Sequence, residues 1–398
     1  MLLVHPGTQY APHLARELAS RGQLHRFWTG FAIAESGVLS CLVALAPASL
    51  RSRLSGRRVG IPSSQLRTLP NLDWKARRVA RRQGDEAAFS ERNQRFQEAV
   101  PEAELRAASV VVGYDTSSWI LIRRAQALGK RFILDQSIGH PVAKERVFEM
   151  VRQRFPDWSS SVPKKSAEML AVEREEHERA DLIVVPSEFV KQTLVSEGVE
   201  AAKIRIIPFG TDLEVFHPPE IPRHHRKSPC VFLFAGSISA RKGVPELLRA
   251  WAEVALPDAE LWLAGPGTIP ASDQRFLTQN AKILGRLNRS QLAETLRRAD
   301  VFVLPSHFEG LAQVQIEAQC AGLPVIGTLE SGASELVTEG ENGFLIPAGD
   351  VAALAGRMTR LPTAPELRRS MSQSAIACRE QRSWKVYGDR WAAVLAEL

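Results

Sequence analysis

Short apolar runs and amphipathic stretches alternate along almost the whole chain. MLLVH at the start reads as a strand, and APHLARELASRG behind it spaces its apolar residues helically and ends in glycine. Residues 109–114, 131–136, 181–187 and 204–210 read as further strands, with helices between them. Ser187 is a fitting N-cap for EFVKQTLVSEG. A Pro- and His-rich stretch, residues 216–229, then has the composition of a linker. Beyond it the pattern restarts with CVFLFAGS, ELWLAGPG, KILGRL, DVFVLPS, LPVIGT and GFLIPAG. Short apolar runs separated by helices imply parallel sheets covered on both faces. The expected fold is therefore α/β, with two Rossmann-like domains whose parallel sheets face a central cleft. The expected boundaries are 1–212 and 213–383, with a last helix at about 384–398 packing back on the first domain.

Composition changes this picture little. A chain of 398 residues suits two domains. Its four cysteines show no C-x-x-C spacing, so neither a disulfide framework nor a zinc site is expected, and a reducing cytoplasm fits. No secretory h-region and no apolar run long enough to span a bilayer is evident.

Charge changes it more. Residues 51–82 hold ten basic residues against the single acid Asp73, a local +9 in a chain whose total is +7. The apolar run 37–50 directly precedes them. That order reads either as a peripheral contact with an anionic membrane surface or as a buried helix followed by a solvated basic loop. Nucleic acid is a poorer partner, with only Trp74 and Phe89 near the segment to stack on bases.

Parallel sheets bind ligands beyond the carboxyl ends of their strands, and that rule sorts the candidate chemistry. In FAGSISARKGVPELLRAW a strand ends at Gly236, and Arg241 and Lys242 precede a helix starting near Gly243. Helix N-termini disfavour cations, so this pair points to an anion, most naturally phosphate, unless both are merely solvated. In LPSHFEGLAQVQIEAQCAGLP the strand ends at Pro305, Ser306 can cap, and the expected helix starts near Gly310 with the N–H groups of Leu311 and Ala312 free. Glu309 at its start gains from the macrodipole. Glu317 does not, and reads either as a carboxylate for sugar or ribose hydroxyls or as part of an exposed face. Gly265-Pro266-Gly267 is half a dinucleotide fingerprint, and Gly7 follows the first strand without one. Asp135 and His140 follow another strand, where the histidine is either structural or cleft-facing.

Together these segments resemble the family 4 glycosyltransferases, retaining enzymes of the GT-B fold. The resemblance covers nearly the whole chain and is strongest from about Asp181 onward, in ADLIVVPSEFVKQTL, IIPFGTDLEVFHP, the Arg-Lys-Gly loop and the E-x7-E element Glu309–Glu317. It implies an N-terminal acceptor domain and a C-terminal nucleotide-sugar donor domain. Arg241 and Lys242 would hold the donor diphosphate, and Glu309 the donor sugar, helped by the N–H groups of Gly310 and Leu311. Glu317 would accept from ribose hydroxyls. Gly285 and Arg286 would line the base pocket, Gly236 and Gly7 would flank the donor, and His140 would be the cleft histidine. Catalytic roles would fall to Arg241, Lys242, Glu309 and His140. The implied reaction moves a sugar from a UDP- or GDP-sugar to a glycan, lipid-linked or small-molecule acceptor, with no metal or other cofactor required. The location implied is the cytoplasm or, peripherally, the inner face of the membrane. An epimerase or a non-catalytic binding protein on the same fold stands as the alternative. Oligomeric state has no signature in the sequence.

Overall fold

The computed structural model describes residues 1–7, 10–47, 51, 54, 56–72, 76, 80, 81, 85–220 and 229–398. Seven parallel strands form the first sheet: β1 (Leu2–His5), β2 (Arg26–Thr29), β3 (Leu66–Thr68), β4 (Val110–Tyr114), β5 (Arg131–Asp135), β6 (Leu182–Val185) and β7 (Ile204–Ile206), in the order β3-β2-β1-β4-β5-β6-β7. Six parallel strands form the second: β8 (Cys230–Ala235), β9 (Ala259–Ala264), β10 (Ala281–Gly285), β11 (Val301–Leu304), β12 (Val325–Thr328) and β13 (Gly343–Ile346), in the order β10-β9-β8-β11-β12-β13.

The period-two geometry of a strand sends alternate side chains to opposite layers. In the first sheet Leu3, Val112, Ile133 and Val184 join one apolar core while Leu2, Val4, Val111, Leu134 and Ile183 join another. Both faces are therefore covered, which is why these strands read as unbroken apolar runs.

Two strands escape the sequence reading. β2 is the four-residue RFWT and begins with arginine. β3 is the three-residue edge strand LRT with Arg67 at its centre. Each owes its extended form to the register with its neighbour, Leu3 against Phe27 and Phe27 against Leu66, rather than to its own pattern.

Strand order reverses between β1 and β4 in one sheet and between β8 and β11 in the other. Those switch points are where a doubly wound sheet opens a crevice for ligands. Residues of the two sheets meet across the gap. Ser187 caps the helix Glu188–Ser196 through Val190 N–H, and its hydroxyl also donates to the Gly310 carbonyl at 2.6 Å. Trp158 Nε1 donates to Asp273 Oδ2 at 2.8 Å, both side chains buried. Phe308 packs edge-on against Phe148 and Phe189.

The last helix, Trp384–Ala396, lies against the first, Ala11–Ser20. His13 stacks on Trp384 with ring centroids 4.0 Å apart, and Arg21 pairs with Asp389 at 2.6 Å. Thr211 N–H donates to the Arg382 carbonyl at 2.7 Å, and Thr211 and Ser383 form a parallel bridge. The central part of the linker, residues 221–228, lies outside the described residues, as do Arg53, Lys75, Arg77, Arg78 and Arg82 of the basic segment.

Candidate active site

The loop after β8 runs through Gly236 to a helical turn, Ala240–Lys242, and enters the helix Val244–Val254 through Gly243. Gly243 has φ +72°, and a methyl there would overlap the Pro305 carbonyl oxygen. Only glycine satisfies both demands. Its close approach draws the loops after β8 and β11 together, and His307 N–H donates to the Arg241 carbonyl at 2.9 Å.

This juxtaposition places three charged side chains on one another. Glu309 Oε1 receives Arg241 at 2.6 Å and Lys242 Nζ at 2.7 Å. Lys242 is buried, and burial lowers its pKa while Glu309 partly restores it. Two cations share one carboxylate, so a positive charge is left over for an anion.

A cavity of about 430 Å³ opens beside them, lined by Gly236, Lys242, Arg286, Glu309 and Leu311, with Leu287 and Leu292 as an apolar wall. Gln313 and Val314, the first residues of the helix Gln313–Cys320, complete the lining. The size and mixed lining suit a small polar ligand with one flat apolar part.

The helix does not start at Gly310. It starts at Gln313, with Ala312 extended at its N-cap and no side-chain cap. Ser306 caps nothing; its hydroxyl is buried without a hydrogen-bond partner. Glu309 therefore lies outside the helix and answers to Arg241 and Lys242, not to the macrodipole. The cause is the loop's other bonds: Glu309 N–H donates to Glu330 O at 2.8 Å, and Ala312 N–H to Ser331 O at 3.3 Å. The Ala312 N–H expected to be free is thereby used. Ser331 itself donates to Thr328 O at 2.7 Å and holds the loop from below. Gly310 has a packing reason to be glycine. A side chain there would overlap the Ser137 carbonyl oxygen of the opposite sheet.

Glu317 lies one turn beyond Gln313 and Val314, on the same face of the helix. It is half-buried, and among the described residues its carboxylate has no hydrogen-bond or ion-pair partner. Burial pushes its carboxyl up to about 8, with Arg289 pulling weakly the other way. Such a carboxylate lacks donors that a ligand could bring.

Gly285 ends β10 at φ +68°, with its carbonyl accepting from Gly265 N–H at 2.8 Å, and Arg286 beyond it reaches the cavity. Gly265 stands at φ +145° against the Gly236 carbonyl, so the half-fingerprint is accounted for by loop packing. Gly7 packs on His5, whose Nδ1 lies 2.7 Å from Gly7 N; Thr8 and Gln9 are outside the described residues. His140 is buried and caps the helix Pro141–Arg154, its Nδ1 accepting from Val142 N–H at 3.3 Å. Burial lowers its pKa to about 4, so the ring is neutral at pH 7. The structure thus gathers Lys242, Glu309, Gly236, Arg286 and Leu311 at one cavity, with Arg241 joined to it through Glu309 and Glu317 a turn away. Gly7 and His140 belong to the opposite domain, and neither lines the cavity.

Sequence reasoning passed over Leu287 and Leu292. Their signal was an apolar pair flanking a capping box, in which Asn288 and Gln291 bond each other's backbone N–H.

Two facing doubly wound sheets with this cavity at a switch point define a GT-B glycosyltransferase architecture. The family model of the group 1 glycosyl transferases matches residues 219–377, and that of the glycosyl transferase 4-like domain matches residues 7–210. The chain belongs to the family 4 glycosyltransferases. It is 33% identical over 210 residues to a GDP-mannose-dependent monoacylated alpha-(1-6)-phosphatidylinositol monomannoside mannosyltransferase of Corynebacterium glutamicum, covering 48% of this chain and 55% of that protein. The chain spans about half the length of the curated relatives it matches. Among solved structures, sucrose-phosphate synthase from Thermosynechococcus elongatus superposes with TM-score 0.66 at 19% identity, covering 100% of this chain and 98% of that one. Anabaena HepE in complex with UDP does so with TM-score 0.66 at 16% identity, covering 100% and 99%. At such identities these two establish the fold.

Proposed function

We propose that the chain is a retaining glycosyltransferase that moves a sugar from a UDP- or GDP-sugar to an acceptor held on the N-terminal domain. The domain boundary falls at residues 212 and 213, and the last helix returns to the N-terminal domain. The observation that carries the activity is the convergence of Arg241 and Lys242 on Glu309 at the wall of the switch-point cavity. Negative charge builds on the leaving diphosphate, and the two cations stabilise it in a partly desolvated setting. Glu309, held by both, faces the donor sugar's hydroxyls. The apolar wall takes the base, and Glu317 accepts from the ribose. A front-face displacement, in which the leaving phosphate helps deprotonate the acceptor, needs no nucleophile from the protein.

The test is calorimetric titration with UDP- and GDP-sugars across pH. The HepE structure contains UDP and the mannosyltransferase is named for GDP-mannose, so both bases belong on the panel. Ribose hydroxyls donate to the ionised carboxylate, so binding is expected to tighten as pH rises toward about 8, where Glu317 ionises, and to level off above it. Below that pH the gain approaches about tenfold per unit. Glu317→Gln removes the slope. Silence toward every donor would dismiss the reading.

The helix Val38–Leu45 leaves Leu39, Leu42 and Leu45 exposed, which speaks for a surface contact over a buried helix. Arg51, Arg57, Arg58 and Arg81 are exposed in the basic segment that follows. This supports a peripheral contact with anionic headgroups at the cytoplasmic face, and hence a lipid-linked acceptor. Among the described residues no helix is long and apolar enough to cross a membrane. Co-sedimentation with liposomes should rise with anionic lipid, fall with salt, and drop about tenfold in a Leu42→Asp, Leu45→Asp variant. Salt-independent sedimentation would remove the membrane role.

A further inference from the structure

Opposite Arg241, at the carboxyl ends of β4 and β5, lies a charged cluster that the donor site does not use. Asp115 directly follows β4, and its Oδ2 accepts from Ser137 Oγ at 3.0 Å. Ser137 is the residue whose carbonyl abuts Gly310, so Asp115 stands one residue away from the donor loop. Lys144, on the first turns of the helix Pro141–Arg154, is buried and makes no ion pair among the described residues. Its neighbour in the helix, Glu145, brings it beside Lys165. Lys165 is anchored by Glu173, and its backbone N–H donates to Glu145.

The backbone here is built for something other than stability. Thr116, immediately after Asp115, holds φ +66°, a left-handed conformation that a β-branched residue rarely adopts. The buried carboxylate of Glu176 enforces it, accepting from Thr116 N–H at 2.8 Å and Ser118 N–H at 2.6 Å. Strain of this kind, fixed by a buried acid at the cleft end of a central strand, sets where Asp115 points.

We propose that Lys144 and Lys165, flanking Asp115 across the cleft from Arg241, form an acceptor subsite for a hydroxyl compound that carries a phosphate group. The two ammonium groups hold the phosphate, and Asp115 orients a neighbouring hydroxyl toward the donor sugar. Two adjacent ammonium groups, one with no carboxylate of its own, repel one another until an anion sits between them. The charges facing the pair are those of such a site. Asp115 and Glu145 raise the Lys144 pKa and Arg241 lowers it, and burial outweighs them all. Lys165 is held near 7 by burial and by Lys144, against Asp115 and Glu176. His177, also within the field of Lys165, is neutral at pH 7. The subsite rests on the donor reading above, since it gains its purpose from the cavity opposite.

The experiment uses the full chain saturated with nucleoside diphosphate, so that the donor site is filled, and titrates it with sn-glycerol 3-phosphate or with glycerol. The phosphate compound should bind at least about tenfold tighter than glycerol, as a charge-assisted contact predicts. Lys144→Gln and Lys165→Gln should each lose about tenfold in that affinity with nucleotide affinity held, and Lys144→Arg should keep most of it. A second measurement needs no variant: in the wild-type chain, the titration midpoint of the Lys165 ammonium, followed by NMR, should rise by about one pH unit when glycerol 3-phosphate is added, because an anion favours the charged form. Vesicles containing phosphatidic acid will compete with the soluble probe if a lipid headgroup is the natural source, and will not if it is a soluble phosphate. Equal binding of glycerol and glycerol 3-phosphate, unchanged affinity in both glutamine variants, or an unmoved Lys165 midpoint each overturns the subsite. Failure to bind any nucleoside diphosphate is a separate result that removes the donor reading, and the phosphate titration can then be read on the unloaded chain.

Discussion

Replacing Arg241 and Lys242 together by alanine is expected to lower sugar transfer by about 10³-fold or more, since losing a single charge-stabilising donor commonly costs about 10²–10³. The loss should exceed what two missing contacts imply. Glu309 now shares its Oε1 between both cations. Without them it becomes a half-buried carboxylate with no countercharge, facing the place where the diphosphate must sit. The trio changes from net positive to net negative, with only Arg286 left as a cation on the cavity wall. Nucleotide affinity should therefore fall along with turnover, and adding Glu309→Gln to the double variant should recover part of the affinity but not the turnover. Folding should survive, because the bond that seats this turn uses the Arg241 carbonyl, accepting from His307 N–H, and not its side chain. Nucleotide release from a donor sugar gives turnover, and calorimetry gives affinity. Wild-type turnover in the double variant would end the assignment of the diphosphate to this pair.

Gly310→Ala should be nearly as damaging, for a mechanical reason. The added methyl would overlap the Ser137 carbonyl oxygen and press on Ile138 Cα. The loop cannot easily withdraw. Its carbonyl at Gly310 is held by Ser187 Oγ at 2.6 Å, and Glu309 N–H is held by the Glu330 carbonyl. Either the loop shifts, carrying Glu309 away from its cations, or the domains part. Overpacking of this kind costs about 1–3 kcal/mol, and a misplaced positioning group about 10²-fold in rate. Thermal melting and turnover together measure it. Ser187→Ala, which removes two hydrogen bonds, the one to the Gly310 carbonyl and the cap on Val190 N–H, but adds no bulk, should cost about 2 kcal/mol and leave Glu309 on its cations. A Gly310→Ala chain with native turnover would mean that the Ser137 contact is absent from the working state.

The parts legible in the sequence were those dictated by local pattern. Five of the six strands of the second sheet announce themselves as apolar runs because nearly all their residues are buried, whereas the edge strand β10 has no buried residue. Arg241 and Lys242 were legible because cations ahead of a helix run against the macrodipole. The parts that were hidden depend on partners distant in the chain. β3 is a strand only because β2 lies beside it. Glu309 read as the start of a helix, since the bonds to Glu330 and Ser331 that keep the loop extended lie about twenty residues away. The need for glycine at 310 was hidden too, because its close neighbour, Ser137, lies in the loop after β5 of the other domain. The cluster of Asp115, Lys144 and Lys165 was invisible for the same reason: its members come from three separate elements, and each alone is an ordinary polar residue.

The place where the chain crosses between the sheets has a further consequence. It crosses once near Thr211 and returns near Ser383, and the two crossings are bonded side by side. A molecule joined along one edge in this way behaves like a book with a spine. Any opening that leaves both backbones and both sheets intact must swing about that edge. Contacts between the halves away from that edge, such as Trp158 with Asp273, must then part, while the His13–Trp384 stack, which lies within one half, stays closed. A bulky acceptor would enter from the margin away from the spine, and the contacts there would be the first to break and the last to form in each catalytic round.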